Sequence, residues 1–243
     1  MTVEIVELCF EAHDPLALGR FWAQVLGRTM VDDTPPDVVL LPDDDIGFPI
    51  RFVRTDVRKA GPNQMHFDLA SATSDDQAAT VAEALDHGAS HLDVGQLPEE
   101  QHVVLADPEG NEFCVIEAGN GFLAGTARIG CLSSDGTQRL GYFWSAALGW
   151  PLVWDEDGET AVQSPAGGTK ISWGGPPLAG RSGTERLHWH VAPPAGGDQD
   201  LAVERLVALG ATRIDGAGLQ QGAVALVDPD GNEFRVLPAG TTG

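Results

Sequence analysis

One phrase occurs twice in this chain of 243 residues, as DPEGNEFCVIE at Asp107 to Glu117 and as DPDGNEFRVLP at Asp228 to Pro238. Three further landmarks recur in the same order. Phe21-Trp22 returns as Phe143-Trp144, His66 as His188, and Gly88 as Gly210, each 122 positions on, while the DPxGNEF turns are 121 apart. A fixed period over a whole chain means duplicated structural units rather than one irregular domain. The sequence therefore divides into two homologous modules, residues 1–119 and 122–243, joined near Gly119-Asn120-Gly121.

Each module opens with an alternating segment that predicts a strand, VEIVELCFE in the first and ARIGCLS in the second. A helix follows. Asp14 suits its N-cap and Pro15 its first position, Leu18, Phe21, Trp22, Val25 and Leu26 form an apolar stripe, and Gly27 can stop it in a left-handed conformation. A second helix is expected from about Asp75 to His87, with Ser74 and Gln77 as a capping box and Gly88 as its stop; its partner is expected from Gln199 to Leu209. The DPxGN turn closes a hairpin, since glycine and asparagine supply the positive φ of a tight reversal. The local pattern gives six strands and two helices per module, in an open sheet with helices on one face.

Composition narrows the function classes. The net charge of −22 disfavours nucleic acid, which is bound by basic patches. The acid excess is uneven, with 23 acids and 6 bases over residues 1–121 against 13 and 8 over 122–243. No apolar run approaches a membrane span and the first residues do not read as a signal peptide. Cys9, Cys114 and Cys131 have neither disulfide-framework nor zinc-ribbon spacing. A cytoplasmic location without membrane contact is expected. No GxGxxG, P-loop, GxSxG or HExxH pattern is present, so nucleotide cofactors and serine hydrolysis are not expected.

The FW…LG helix ends, NQMHFDLA, HGAS and LGAT, and DPEGNEFCVIE resemble the vicinal oxygen chelate superfamily, the glyoxalase/bleomycin-resistance/extradiol-dioxygenase fold. The resemblance implies an α+β fold: tandem βαβββ modules forming paired, cupped mixed sheets, with helices on the outer face and a small-molecule site in the cup. Members often hold a divalent metal through the first, central and last strands, the last ligand usually a Glu three residues after the Asn of DPxGN. At those positions the first module offers Glu7, His66 and Cys114. The second offers Arg128 or Ile129 (depending on a one-residue slip), His188 and Arg235.

A guanidinium has no lone pair for a metal, so Arg235 argues against one in its module. It suits a carboxylate, phosphate or enolate, or pairs with a surface acid such as Glu233 or Asp230. Cys114 reads as core filler, as a metal ligand or as a reactive thiol. His66 shares a strand face with Asp68, the arrangement of a general base and its orienting acid, or fills a structural role. His188 and His190 share a face, and Glu7, Cys9 and Glu11 another. Trp150, Trp154 and Trp173 lack counterparts in the first module and could shape an apolar pocket.

The expected catalytic residues are thus His66, Asp68 and Glu7, and the expected ligand contacts are His188, His190, Arg235, Arg128 and Trp173. No cofactor is favoured; a divalent metal, if bound, falls to Glu7, His66 and Cys114. Two classes of function stay open. One is a lyase- or isomerase-type enzyme with a degenerate metal site, or a metal-dependent lyase or dioxygenase. The other is a non-catalytic protein that sequesters a drug or metabolite, as bleomycin-resistance members do. Either fits a monomer or a homodimer.

Overall fold

The computed structural model describes residues 2–32, 37–44, 46–97, 99–175, 178, 185–215 and 222–241. Each module holds two βαβββ units. The first comprises β1 (Glu4–Ala12), α1 (Pro15–Leu26), β2 (Met30–Asp32), β3 (Val38–Leu40) and β4 (Ile50–Arg54). The second comprises β5 (Met65–Leu69), α2 (Ser74–Asp86), β6 (Ser90–His91), β7 (Val103–Ala106) and β8 (Glu112–Val115). The third is β9 (Ile129–Ser134), α3 (Gln138–Leu148), β10 (Leu152–Glu156), β11 (Glu159–Ser164) and β12 (Gly167–Trp173). The last is β13 (Leu187–Ala192), α4 (Gln199–Leu209), β14 (Thr212–Arg213), β15 (Val224–Val227) and β16 (Glu233–Val236). Each module therefore has eight strands where local pattern gave six. The two-residue strands β6 and β14 are too short to carry an alternation.

The strands form two mixed sheets of eight, neither confined to one module. Sheet A runs β14-β15-β16-β13-β1-β4-β3-β2, and sheet B runs β10-β11-β12-β9-β5-β8-β7-β6. The chain's first and last units share sheet A, joined where β1 lies antiparallel to β13. The two middle units share sheet B, joined where β5 lies antiparallel to β9.

Each strand divides its side chains between two faces. On β1, Leu8, Phe10 and Ala12 turn toward the helices, while Glu7, Cys9 and Glu11 turn to the other face. The apolar faces of both sheets meet within each module. Phe10 of sheet A touches Phe67 of sheet B with ring centroids 6.2 Å apart, and Trp22 of α1 lies 5.0 Å from Phe67 and 4.9 Å from Phe113. Trp144 repeats this role against Phe234 in the second module. The helices and both cores thus lie between the sheets, leaving one polar face of each sheet for chemistry.

The caps behave largely as their residues dictate. Asp14 accepts from the Ala17 N–H and Gly27 takes φ 69° at the end of α1. The cap of α2 is Thr73 rather than Ser74, and Asp76, not Gln77, reaches back to the Ala72 N–H. The helix begins one residue earlier than expected because the Thr73 hydroxyl accepts from Asp76 N. In the repeated turn, Asp107 accepts from the backbone of Glu109 and Asn111, the Asn111 amide and the Trp22 indole. Asp228 does the same with Asp230, Asn232 and Trp144. The repeated phrase is therefore a bolt between hairpin and helix, and its function is structural.

Candidate functional site

The polar face of sheet A carries a buried charged cluster. Rows of paired residues define it. Arg51 (β4) lies opposite Cys9 (β1), and Cys9 opposite His188 (β13). One row along, Glu7 lies opposite His190, and His190 opposite Arg235 (β16). Glu7, His188 and His190 are at most 4% exposed. Glu7 accepts from His190 Nδ1 at 2.8 Å and from Arg51 Nε at 2.9 Å. Burial opposes the charge on Glu7, but these partners outweigh it and hold its pKa below the ordinary carboxylate value. His188 is driven the other way. Burial, with His190 and Arg235 beside it, lowers its pKa well below the usual imidazole value, so it is neutral at pH 7. Burial also pushes the Cys9 thiol up, leaving it protonated.

Three donor or acceptor atoms of this cluster are buried without a hydrogen-bond partner: His188 Nε2, His190 Nε2 and Arg235 Nε. The nearest acid to Arg235 Nε is Glu233, 3.8 Å away. An unpaired buried polar group costs about 1–3 kcal/mol. Three on one face leave bonding capacity that a water or a ligand could satisfy.

Sheet B presents a different set at equivalent positions. Here Ser172 (β12) lies opposite Ser133 (β9), and Ser133 opposite His66 (β5). Next to it, Cys131 lies opposite Asp68, and Asp68 opposite Cys114 (β8). Both central pairings contain a register break, between Ile5 and Glu7 in one and next to Asp68 in the other. The counterpart of Glu7 is therefore Cys131, not Arg128 or Ile129. His66 Nε2 lies 3.3 Å from Asp68 Oδ1, and Asp68 accepts a short hydrogen bond from the Ser133 hydroxyl. Ser172 continues the chain to Ser133, and Cys131 to Ser172, both at 3.2 Å. Burial works against a charged His66, but Asp68 and Cys114 override it and raise its pKa to about 10. The Cys114 thiol is raised by burial although His66 pulls it down. A cation does stand beside Cys114, brought there by strand pairing rather than by sequence proximity.

The expected residues thus separate. His66, Asp68 and Cys114 meet in sheet B. Glu7 lies in sheet A with His190, His188 and Arg235, so it cannot complete a triad with His66 and Cys114, nor orient His66. Arg128 belongs to neither row. It donates to the Ala70 carbonyl, to both Asp76 oxygens in the first turn of α2 and to the Thr80 hydroxyl in its middle. Trp173 points into the core with Ile171, 3% exposed, beside a gap of about 10 Å3, room for one water and no ligand. The alternation in GGTKISW, with Ile171 and Trp173 on one side and Lys170 and Ser172 on the other, carries that signal. Arg51, Ser133 and Ser172 had no signal in local sequence; only pairing reveals them.

Metal ligation divides the sheets further. In sheet A, Cys9, His188 and His190 bring ligand atoms within 4.8 Å of one another. The donor set fits a cation poorly, because the guanidinium of Arg235 takes the last-strand position and its charge acts on His188. In sheet B, His66, Asp68 and Cys114 also lie within 4.8 Å, and the cation of their row, Lys170, stands two strands from Asp68, opposite Cys131. A nitrogen, an oxygen and a sulfur donor suit a thiophilic divalent ion such as zinc.

No curated protein sequence matches the chain. The glyoxalase I structure from maize (Zea mays) aligns over 98% of this chain and 92% of its own at 14% identity, with a TM-score of 0.69. A candidate dioxygenase from Bacillus subtilis aligns over 99% and 86% at 16% identity, with a TM-score of 0.65. At such identities the likeness is one of fold. The model of the glyoxalase-like domain matches residues 7–116 and again 130–237, most of both modules, and the chain belongs to that family.

Proposed function

We propose that the polar face of sheet A binds a small organic anion and moves a proton on it, as a lyase- or isomerase-type site that needs no metal. The observation behind this is the state of His190. Its Nδ1 is committed to Glu7, which fixes the tautomer, and its Nε2 is buried with no partner, close to Arg235 in the same row. A carboxylate behind an imidazole is the arrangement of a general base, because the acid stabilises the imidazolium that forms. In this scheme Arg235 holds a carboxylate or the oxygen of a developing enolate. His190 Nε2 takes the proton from the adjacent carbon, and Glu7 balances the new charge. The proton returns to a neighbouring carbon in an isomerisation, or its removal expels a leaving group. His188, neutral, offers a further hydrogen bond without competing for the proton.

The test uses an enolisable 2-oxo acid, 2-oxobutanoate, in D2O with proton NMR. Deuterium exchange at C3 above the buffer rate is expected, falling about 10²–10⁴-fold in His190→Ala. Arg235→Met should weaken binding about 10–100-fold, the loss of a charged hydrogen bond. If ligands come back unexchanged and His190→Ala keeps full affinity, the sequestering reading replaces this one.

A second reading rests on the His66, Asp68 and Cys114 cluster, a metal-dependent lyase or dioxygenase site in sheet B with Asp68 where Glu7 had been expected. A divalent ion there would polarise a ligand oxygen. The chain's own part is to orient the ligands: Ser133 fixes Asp68, and Asp68 fixes the His66 ring.

A further inference from the structure

The segment joining the modules enters the polar side of sheet B. Phe122 places its ring 4.4 Å from Lys170 Nζ and 6.0 Å, edge to face, from Trp154. Lys170 Nζ also donates to the Phe122 carbonyl. Lys170 shares its strand face with Ser172, and Trp154 lies opposite Ala161, which lies opposite Ser172. All three therefore project on the side that carries the His66 cluster. Trp154 remains 40% exposed, a large aromatic held open toward solvent.

The backbone of the segment is anchored at and beside Phe122, independently of the Phe122 ring. Leu123 is 7% exposed and packs on Gly130, where any Cβ would come within 2.8 Å of it. Asn120 accepts from the backbone of Phe122 and Leu123 and donates to Glu117. Gly119 and Gly125 take positive φ, 82° and 73°, on either side. The same segment borders an open cavity of about 410 Å3 lined by Ser71, Asp76 and Arg128 among others. These anchors hold the segment without using the Phe122 ring.

What Phe122 shows to Trp154 and Lys170 is an aromatic ring joined through two carbons to an oxygen acceptor. That is the skeleton of a 3-arylpropanoate, with a neutral carbonyl where the free acid carries charge. We propose that Trp154 and Lys170 form a second small-molecule subsite, for aromatic carboxylates of this skeleton, and that Phe122 occupies it as a tethered competitor. The idea is independent of the proton-transfer reading of sheet A. A cation over a ring attracts its π face, and a carboxylate on the ammonium adds a charge-assisted bond. A side chain on a short tether competes at an effective concentration of order millimolar, so a free acid binds weakly until the tether is cut.

The experiment is calorimetric titration with 3-phenylpropanoate, with fluorescence of Trp154 as the local reporter, assigned by Trp154→Phe. Phe122→Ala should bind at least about tenfold more tightly than the natural chain. Adding Lys170→Met should remove that gain, and neutral 3-phenylpropan-1-ol should bind more weakly than the acid. Phe122→Leu, which keeps an apolar side chain but no ring, gives the same sign if the alanine variant does not fold. Equal affinity in the natural chain and the Phe122 variants overturns the proposal. So does binding that survives Lys170→Met, which would place the ligand elsewhere.

Discussion

Sheets A and B are the same construction with opposite contents. In A the two last-strand positions hold Arg51 and Arg235, and between them lie a carboxylate and two imidazoles. In B the matching positions hold Ser172 and Cys114, and the centre is a histidine paired directly with an aspartate that serines brace. Two guanidinia keep their charge at any ordinary pH, which is why the proposed ligand of A is an anion. A thiol and a hydroxyl are neutral, so B keeps the options of metal, ligand or plain structure. Duplication supplied two faces, and four side chains separated their chemistry.

The largest effect that would break this contrast is on stability. Glu7→Ala removes the acid that Arg51 and His190 both bond and breaks a buried charge pair, at a cost of about 3–5 kcal/mol. For a chain of this size that lowers Tm by about 10 °C. In sheet B, Ser172→Ala cuts a chain of neutral hydroxyls at about 1 kcal/mol. Thermal unfolding of both variants measures the difference, and equal losses would mean the Glu7 network is not the charged keystone described here.

Much of the fold was legible before any coordinates. The repeat, the caps of α1, the span of α4 and the hairpin turn all depend on residues within a few positions of one another. The partnership of β1 with β13 does not. Glu7 and His190 are separated by 183 positions, and nothing local distinguishes a module that closes its own cup from one that shares it. Grouping Glu7 with His66 assumed the first case. The break near Glu7 had the same origin, since an extra residue in a strand shows only against its partner. Trp173 was a different kind of miss. Its strand alternates cleanly, and the alternation placed it with Ile171 in the core.

A metal titration sharpens the comparison next. Zinc added to the chelator-treated protein should bind once, in sheet B, and Cys114→Ser should weaken it by an order of magnitude or more. Cys9→Ser should leave the affinity unchanged. Because His66 and Cys114 carry protons at pH 7, binding releases both, and affinity should climb steeply between pH 6 and 8. If Cys9→Ser abolishes binding instead, the assignment of the two faces is reversed.

Stability of the metal-free chain should also depend on pH through sheet B. The folded pKa of His66 lies above its unfolded value near 6.5, at about 10. The folded state therefore holds a proton that the unfolded chain releases. The contribution is complete below about pH 6.5 and is lost as pH rises toward 10. His66 is partly exposed, so screening limits it to the order of 1 kcal/mol. Denaturant midpoints at pH 6.5 and 9.5 should differ more in the natural chain than in His66→Asn.

The smallest effect separates the three thiols. Cys9 and Cys131 are fully buried, and burial pushes the Cys131 thiol up to about 12. Cys114 is half-buried and touches the His66 imidazolium, yet its own pKa is still raised. A maleimide under native conditions should therefore modify Cys114 alone, slowly, and faster as pH rises and the thiolate forms. His66→Asn tests the pairing. Removing the imidazolium takes away the group that pulls the Cys114 thiol down, and labelling at fixed pH should slow by a factor of a few. If Cys9 labels as fast as Cys114, the buried cluster of sheet A is open to solvent in solution. The three orphaned polar atoms there would then be satisfied by water, and the case for an organic anion in that face would lose its main support.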